Sequence, residues 1–167
     1  MKNLESKVKL DVDFFPENNL SFAKKIGILK QKDTYYLLNT FKLKLREEGD
    51  FSELIFYYRR NLETSKNSRY IRVPVTAHKD LSLFFLNILF TKKCLVEKER
   101  VLFIYKHTRI HLDTVKGLGS FIELETVFSG GLETDKAKKE HEEIKGFLGI
   151  DNFPLIAGSY SNLLKVE

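Results

Sequence analysis

The chain has 167 residues, 43% of them hydrophobic, enough for one domain whose core buries roughly two-thirds of the unfolded surface. Its 28 Lys and Arg against 23 Asp and Glu leave a mild positive excess with no basic tail, so neither nucleic acid nor a membrane surface is the default partner. One cysteine, Cys94, cannot form an internal disulfide, the N-terminus lacks the apolar core of a secretory signal, and the longest apolar run, Leu81 to Phe90, falls short of the roughly 20 residues of a membrane span, so a cytoplasmic location is expected.

Strand-like alternation of apolar and polar residues begins at Lys7 to Asp13. After Pro16, a good first helical residue, Leu20, Ala23 and Ile26 form a stripe ending at Gly27, which predicts a helix. Strands follow at Tyr35 to Arg46, Glu53 to Arg60 and Tyr70 to Thr76, punctuated by turn signals at Glu48-Gly49-Asp50 and Ser65-Lys66-Asn67. Asp80 as N-cap opens a second helix in which Leu81, Phe84, Phe85, Ile88 and Leu89 keep helical spacing, and this stripe is expected in the core. A strand covers Leu95 to Tyr105, and Arg109 to Asp113 and Phe121 to Glu125 read as two more, joined across Gly117-Leu118-Gly119. A third helix carries Ala137, His141, Ile144 and Leu148 ahead of Gly149. Many antiparallel strands with a few covering helices indicate an α+β fold or a barrel. A faint internal echo, with acidic strands leading into helices that close with Gly27-Ile28 and Gly149-Ile150, suggests two related halves.

The strands carry an unusual charge load. Alternate residues share a face, which groups Lys42 with Lys44 and Arg46, Lys98 with Arg100, Glu5 with Lys7 and Lys9, and Arg109 with His111 and Asp113. Glu123 and Glu125 also share a face, and with Asp113 near by they make an oxygen cage suited to a hard divalent cation. In a barrel covered by helices the apolar strand faces pack outward and the lumen is polar. Like charges gathered there cost several kcal/mol per ion unless neutralised. A triphosphate with Mg²⁺ or Mn²⁺ matches both signs, Lys and Arg taking the phosphate oxygens and the carboxylates the metal. The plain alternative is an exposed sheet with solvated lysines.

In register along the whole chain, several short motifs resemble those of the CYTH superfamily, the triphosphate tunnel metalloenzymes. They are Asn3-Leu4-Glu5-Ser6-Lys7, Asp33-Thr34-Tyr35-Tyr36, Lys42 to Arg46, Tyr57 to Arg60, Glu97 to Arg100, the Arg109 to Asp113 block with Gly117-Leu118-Gly119 and Phe121, Glu123-Leu124-Glu125, and Ser159 to Leu164. The resemblance implies a single domain over 1–167 built as an eight-stranded antiparallel β-barrel, a triphosphate tunnel, with helices packed outside. It implies Glu5, Asp113, Glu123 and Glu125 as ligands for Mg²⁺ or Mn²⁺, and Lys7, Lys44, Arg46, Arg60, Lys98, Arg100 and Arg109 as the phosphate-binding set. Lys7, Glu123 and Glu125 would be catalytic. The activity implied is triphosphate hydrolysis, with class IV adenylyl cyclase as the alternative and a non-catalytic binder of phosphorylated ligands as a third. The partner is a small-molecule triphosphate, and a homodimer is left open. Two departures stand out. Asn3 occupies the place of the family's usual first Glu, removing one anionic ligand. Arg60 stands where many members place Lys, and a guanidinium does not give up its proton to help activate water. His111 is expected as a lumenal hydrogen-bonding residue, and His78, His107 and His141 as surface or packing residues.

Overall fold

Eight strands form where apolar and polar residues alternate most regularly, and every one pairs antiparallel with its neighbours. The computed structural model describes residues 2–11, 19–38, 42–59, 68–128 and 134–164. The strands are β1 (Lys2–Lys9), β2 (Lys24–Tyr36), β3 (Lys42–Glu48), β4 (Phe51–Arg59), β5 (Ser68–Pro74), β6 (Lys92–Tyr105), β7 (Thr108–Val115) and β8 (Gly119–Phe128). Two helices, α1 (Lys79–Leu89) and α2 (Thr134–Leu148), lie outside. The order across the single sheet is β1-β8-β7-β6-β2-β3-β4-β5. The sheet curls until β1 approaches β5, without a hydrogen-bonded ladder between these two edges among the described residues. The free edge of β1 is met instead by the C-terminal segment, where the Ile156 N–H donates to the Lys7 carbonyl at 2.8 Å. The tight link from β7 to β8 needs Gly117 and Gly119, whose φ values of 77° and 94° fall where a Cβ is strained.

The barrel is apolar outside and polar inside. Val8, Ile110, Leu112, Ile122 and Leu124 face outward and pack against Ile144 and Leu148 of α2. Leu43 and Leu45 pack against Leu86 of α1. A third cluster, Tyr35, Val96, Val115, Phe121 and Tyr160, occupies the inward positions at one end, so residues 158–160 form the floor of the lumen. Full burial of each large aliphatic side chain contributes about 1.5–3 kcal/mol. Ile144→Ala, at the centre of the α2 contact, is expected to destabilise the protein by about 2–5 kcal/mol in denaturant unfolding. A loss under about 1 kcal/mol would mean that α2 is not packed as described. Among the described residues no helix is long and apolar enough to cross a membrane.

A polar network locks α2 behind the acidic strands. His141 bridges Thr126 Oγ1 through Nδ1 at 2.8 Å and Ser6 Oγ through Nε2 at 2.7 Å, while Glu140 accepts from Thr108 Oγ1 at 2.7 Å. Burial pushes His141 down to about 4, which keeps the ring neutral in this packing role.

Four expectations are corrected. The helix after Pro16 falls in part on residues 12–18, outside the described residues. Beyond them Lys24 to Gly27 belong to β2, where pairing with β6 outweighs a stripe of three apolar residues. The echo of two halves loses its first helix with it; the acidic strands β1 and β8 are instead direct neighbours, with Glu5 opposite Glu125. The single strand Tyr35 to Arg46 is the end of β2 and the start of β3, folded back so that Tyr35 opposes Lys44. Helix α1 begins at Lys79 after His78, with Asp80 inside its first turn, and it sits the other way round. Leu83, Leu86 and Phe90 face the barrel, whereas Leu81, Phe84, Phe85, Ile88 and Leu89 are between 51% and 67% exposed. A helix apolar all round gives no periodic sign of which face turns inward.

Candidate active site

Period-two geometry turns alternate residues of each strand into the lumen. β1 contributes Asn3, Glu5 and Lys7, and β8 contributes Glu123 and Glu125. Arg109 and His111 come from β7, and Lys98 and Arg100 from β6. β2 adds Gln31, Asp33 and Tyr35, and β3 adds Lys44, Arg46 and Glu48. Together they line a cavity of about 470 Å³, the size of pockets that take small ligands (roughly 300–1,000 Å³).

The cations are held by a device that occurs twice. On β3, Arg46 lies directly opposite Asp33 of β2 and grips it with Nε to Oδ1 and a terminal nitrogen to Oδ2, both at 2.7 Å. Lys44 Nζ donates to the same Oδ2 at 2.7 Å. On β6, Arg100 lies opposite Asp113 of β7 and grips it the same way, both contacts at 2.6 Å, with Lys98 Nζ on Oδ2 at 2.8 Å. Each unit is a Lys-x-Arg pair on one strand aimed by one Asp on the next. One carboxylate serves two cations, so each unit keeps a net positive charge facing the cavity. Burial alone would raise both Asp groups, but the adjoining Lys and Arg charges hold them far below the ordinary carboxylate range.

Desolvation acts on the lysines in the opposite sense. Burial, reinforced by Arg46, brings Lys44 down to about 8, and burial with Arg100 brings Lys98 down to about 7. Between its folded value and the ordinary lysine value of 10.5, Lys98 is protonated mainly in the unfolded chain, so its contribution to stability rises with pH across that window. Anion binding runs the other way, because a polyanion needs both lysines protonated. Affinity for tripolyphosphate should fall about tenfold or more between about pH 6 and about pH 9, and binding near pH 8 should take up protons. Calorimetry in buffers of different ionisation enthalpy measures this, and a flat profile with no proton uptake would refute it.

The acidic side is bridged as well. Glu5 and Glu125 face each other across β1 and β8, and the Asn3 amide donates to both, at 3.0 Å and 2.7 Å. An amide in this place relieves the repulsion that a third carboxylate would add. Glu125 also meets Arg109 at 3.2 Å, and Glu123 lies between Lys7 at 3.1 Å and Arg100 at 2.8 Å. Burial opposes the charge on Glu123, but Lys7 and Arg100 among others hold it well below its ordinary value. Among the described residues no group of three His, Cys, Asp or Glu side chains forms a ready-made metal cage. The donor chemistry of Glu5, Glu123 and Glu125 is nonetheless all hard oxygen on one cavity wall, which suits Mg²⁺ or Mn²⁺.

Among the described residues, Gln31 Oε1 and His111 Nδ1 are buried in the wall without a partner at hydrogen-bond distance, on residues only 5% exposed, and His111 Nδ1 stands 3.6 Å from Glu123 Oε2. Burial and the Arg100 charge push His111 down to about 4, so the ring is neutral near pH 7.

Of the residues singled out from sequence, Glu5, Lys7, Lys44, Arg46, Lys98, Arg100, Arg109, Glu123 and Glu125 all line this cavity. Asp113 does not. It is 1% exposed, with Oδ1 accepting from Arg100 and Oδ2 accepting from Lys98, Arg100 and the Tyr160 hydroxyl, the last at 2.8 Å, so its oxygens are engaged by cations of the wall. Arg60 lies outside the described residues. Sequence reasoning passed over Gln31 and Arg72, quoted Asp33 in a motif without giving it a role, and noted Asn3 as a lost carboxylate without foreseeing that its amide bridges Glu5 and Glu125. Tyr160, inside the Ser159 to Leu164 motif, had no role assigned from sequence; its ring lies 4.0 Å from Lys7 Nζ and 5.0 Å from Lys98 Nζ. Asp33 carries a signal in hindsight, an acid placed to face the second cation of a Lys-x-Arg strand.

Fold and interior define a curled antiparallel barrel whose lumen is lined by clustered Lys and Arg cations on one side and carboxylates on the other. Residues 1–160 match the CYTH domain, and the chain belongs to that family. The PH1012 protein of Pyrococcus horikoshii OT3 has a similar structure, with a TM-score of 0.83 at 19% identity over 99% of this chain and 100% of its own. A candidate adenylate cyclase from Vibrio parahaemolyticus gives 0.73 at 15% identity, covering 98% of this chain and 97% of its own. Another, from Bacillus halodurans, gives 0.63 at 16% identity, covering 99% and 100%. At these identities the likeness is one of fold. No curated protein matches the chain in sequence.

Proposed function

We propose that the protein is a divalent-metal-dependent enzyme that hydrolyses a triphosphate, whether nucleotide, thiamine or inorganic, bound in the barrel lumen. The observation that supports this most directly is the repeated Lys-x-Arg unit anchored by a buried Asp, which aims four cations at one cavity and leaves them under-neutralised. Lys44, Arg46, Lys98 and Arg100 bind the phosphate oxygens, with Lys7, Arg109 and Arg60 completing the set. Glu5, Glu123 and Glu125 hold the metal, and Asp33 and Asp113 act as positioning carboxylates. Mg²⁺ or Mn²⁺ in that place supplies charge neutralisation at the phosphate oxygens. Phosphoryl transfer requires alignment and charge stabilisation more than covalent help, and preset cations in a low-dielectric wall provide both. In the reaction a water oxygen bonds to the terminal phosphorus, the bond from that phosphorus to the bridging oxygen breaks, and the shortened chain departs with the electron pair. The water proton passes to solvent or to a phosphate oxygen.

The test is incubation with ATP, thiamine triphosphate and tripolyphosphate, each with Mg²⁺ or Mn²⁺, followed by phosphorus NMR. Release of inorganic phosphate is expected. Pyrophosphate with cyclic AMP would assign the adenylyl cyclase reaction to the same site, and unchanged substrates that nevertheless bind would make the protein a binder.

A further inference from the structure

The barrel surface under α2 is mostly apolar, with Val8, Leu112, Ile122 and Leu124 packed against Ile144 and Leu148. Three hydroxyls interrupt it. Ser6, Thr108 and Thr126 point toward α2, and both threonines are fully buried. Each is the chain neighbour of a lumen residue: Ser6 follows Glu5, Thr126 follows Glu125, and Thr108 precedes Arg109. Those lumen residues form one row across the sheet, with Glu5 opposite Glu125 and Glu125 opposite Arg109. Consecutive residues of α2 take all three hydroxyls. His141 holds Ser6 and Thr126 through its two ring nitrogens, and Glu140 accepts from Thr108, which also meets Thr126 at 2.8 Å. Apolar side chains in these places would pack against α2 without the cost of desolvating polar groups, so packing alone does not account for the hydroxyls. Their directional bonds fix where β1 lies beside β8. β1 needs such a tie, because among the described residues its only ladder runs to β8, supplemented by the contact of Lys7 and Val8 with residues 155–156. It also places one carboxylate directly opposite another. On the lumen side the Asn3 amide bridges that pair, and on the outer side His141 spans the two strands behind it.

We propose that His141 is a positioning residue for the cation site, setting from outside the barrel the distance between Glu5 and Glu125. The inference rests on the metal-dependent reading above and adds to it a helix that touches neither metal nor substrate. Mg²⁺ demands near-ideal octahedral geometry, so a small shift of β1 against β8 costs affinity. The Lys-x-Arg units stand on β3 and β6, and their anchoring carboxylates on β2 and β7 are separate from this tie, so phosphate binding does not depend on it.

The experiment replaces the tie with apolar groups. In the triple variant Ser6→Ala, Thr126→Val, His141→Leu all partners go together and none is left buried and unpaired, so the melting temperature should stay within about 4 °C of the unaltered protein. Mn²⁺ binding to the protein alone, followed by the electron paramagnetic resonance signal of the free ion, should nevertheless weaken at least about 10-fold. Metal-free binding of tripolyphosphate, measured by calorimetry, should stay within about twofold. Ser6→Ala alone frees only the β1 end of the tie and should lower Mn²⁺ affinity in the same direction by a smaller factor; it carries the test if the triple variant does not fold. A tie that only holds α2 in place predicts unaltered Mn²⁺ affinity wherever the melting temperature is kept. That result in both variants overturns the role of His141 and leaves the metal-dependent reading in place. So does a loss of tripolyphosphate affinity by the same factor as Mn²⁺, which would mean a general loosening of the barrel. Failure of the unaltered protein to bind Mn²⁺ overturns both.

Discussion

Glu123→Gln is expected to reduce metal-dependent turnover by more than the roughly 10–100-fold that loss of an outer-shell partner costs, while metal-free triphosphate binding holds or tightens. The substitution keeps size and polarity but removes the anionic charge a hard cation needs. It also releases Lys7 and Arg100, which both spend part of their charge on Glu123, at 3.1 Å and 2.8 Å. Two freed cations favour a polyanion, so the effects on chemistry and on binding separate in one variant. Glu125→Gln should behave similarly in turnover but gain less in binding, because among the described residues it releases Arg109 alone of the cations. Steady-state kinetics with Mg²⁺ and calorimetry without it measure the two halves. Turnover near wild type in both variants would remove the acidic pair from the cation site.

Asp113→Asn attacks the scaffold rather than the chemistry. The carboxylate compensates Lys98 and Arg100 in a wholly buried setting and accepts from Tyr160. An amide of the same size removes the carboxylate that two buried cations share, a loss of about 3–5 kcal/mol. For a chain of this length each kcal/mol lowers the melting temperature by roughly 2–4 °C, so a fall of roughly 6–20 °C is expected. Glu123, still in contact with Arg100, favours the lower part of that range. Tripolyphosphate should restore much of the loss, because the polyanion takes the place of the missing carboxylate, and the ligand-induced shift should exceed that of the unaltered protein. A melting point that neither falls in the variant nor responds to tripolyphosphate would mean that Asp113 does not carry this charge.

Most of the cavity could be read from the sequence because strand geometry is simple. Lys98 and Arg100, or Glu123 and Glu125, must share a face wherever the strand lies, so period two alone groups them. What period two does not supply is the partner across the strand. Asp33 became visible only once β2 and β3 were folded back on each other, and Asp113, legible as an acid on the right face, gave no sign that four donor contacts occupy its oxygens. The same limit applies to α1. Its outer stripe and the inward Leu83, Leu86 and Phe90 are equally apolar, so composition could not say which side met the barrel. At Lys24 to Gly27 a short helical stripe competed with a long strand partner, and the pairing of β2 with β6 prevailed because it extends over most of both strands.

The floor made by residues 158–160 gives the cavity a kinetic direction. The Lys-x-Arg units stand at the floored end and the apolar side chains Leu102 and Ile104 at the other. On the triphosphate reading proposed above, a phosphate chain would enter terminal group first and rest with that group deepest. Cleavage would then leave the detached phosphate beneath the remainder of its own substrate. The larger product would have to clear the mouth first, so ordered release with inorganic phosphate last, and competition of phosphate with incoming substrate, are the expected kinetic results.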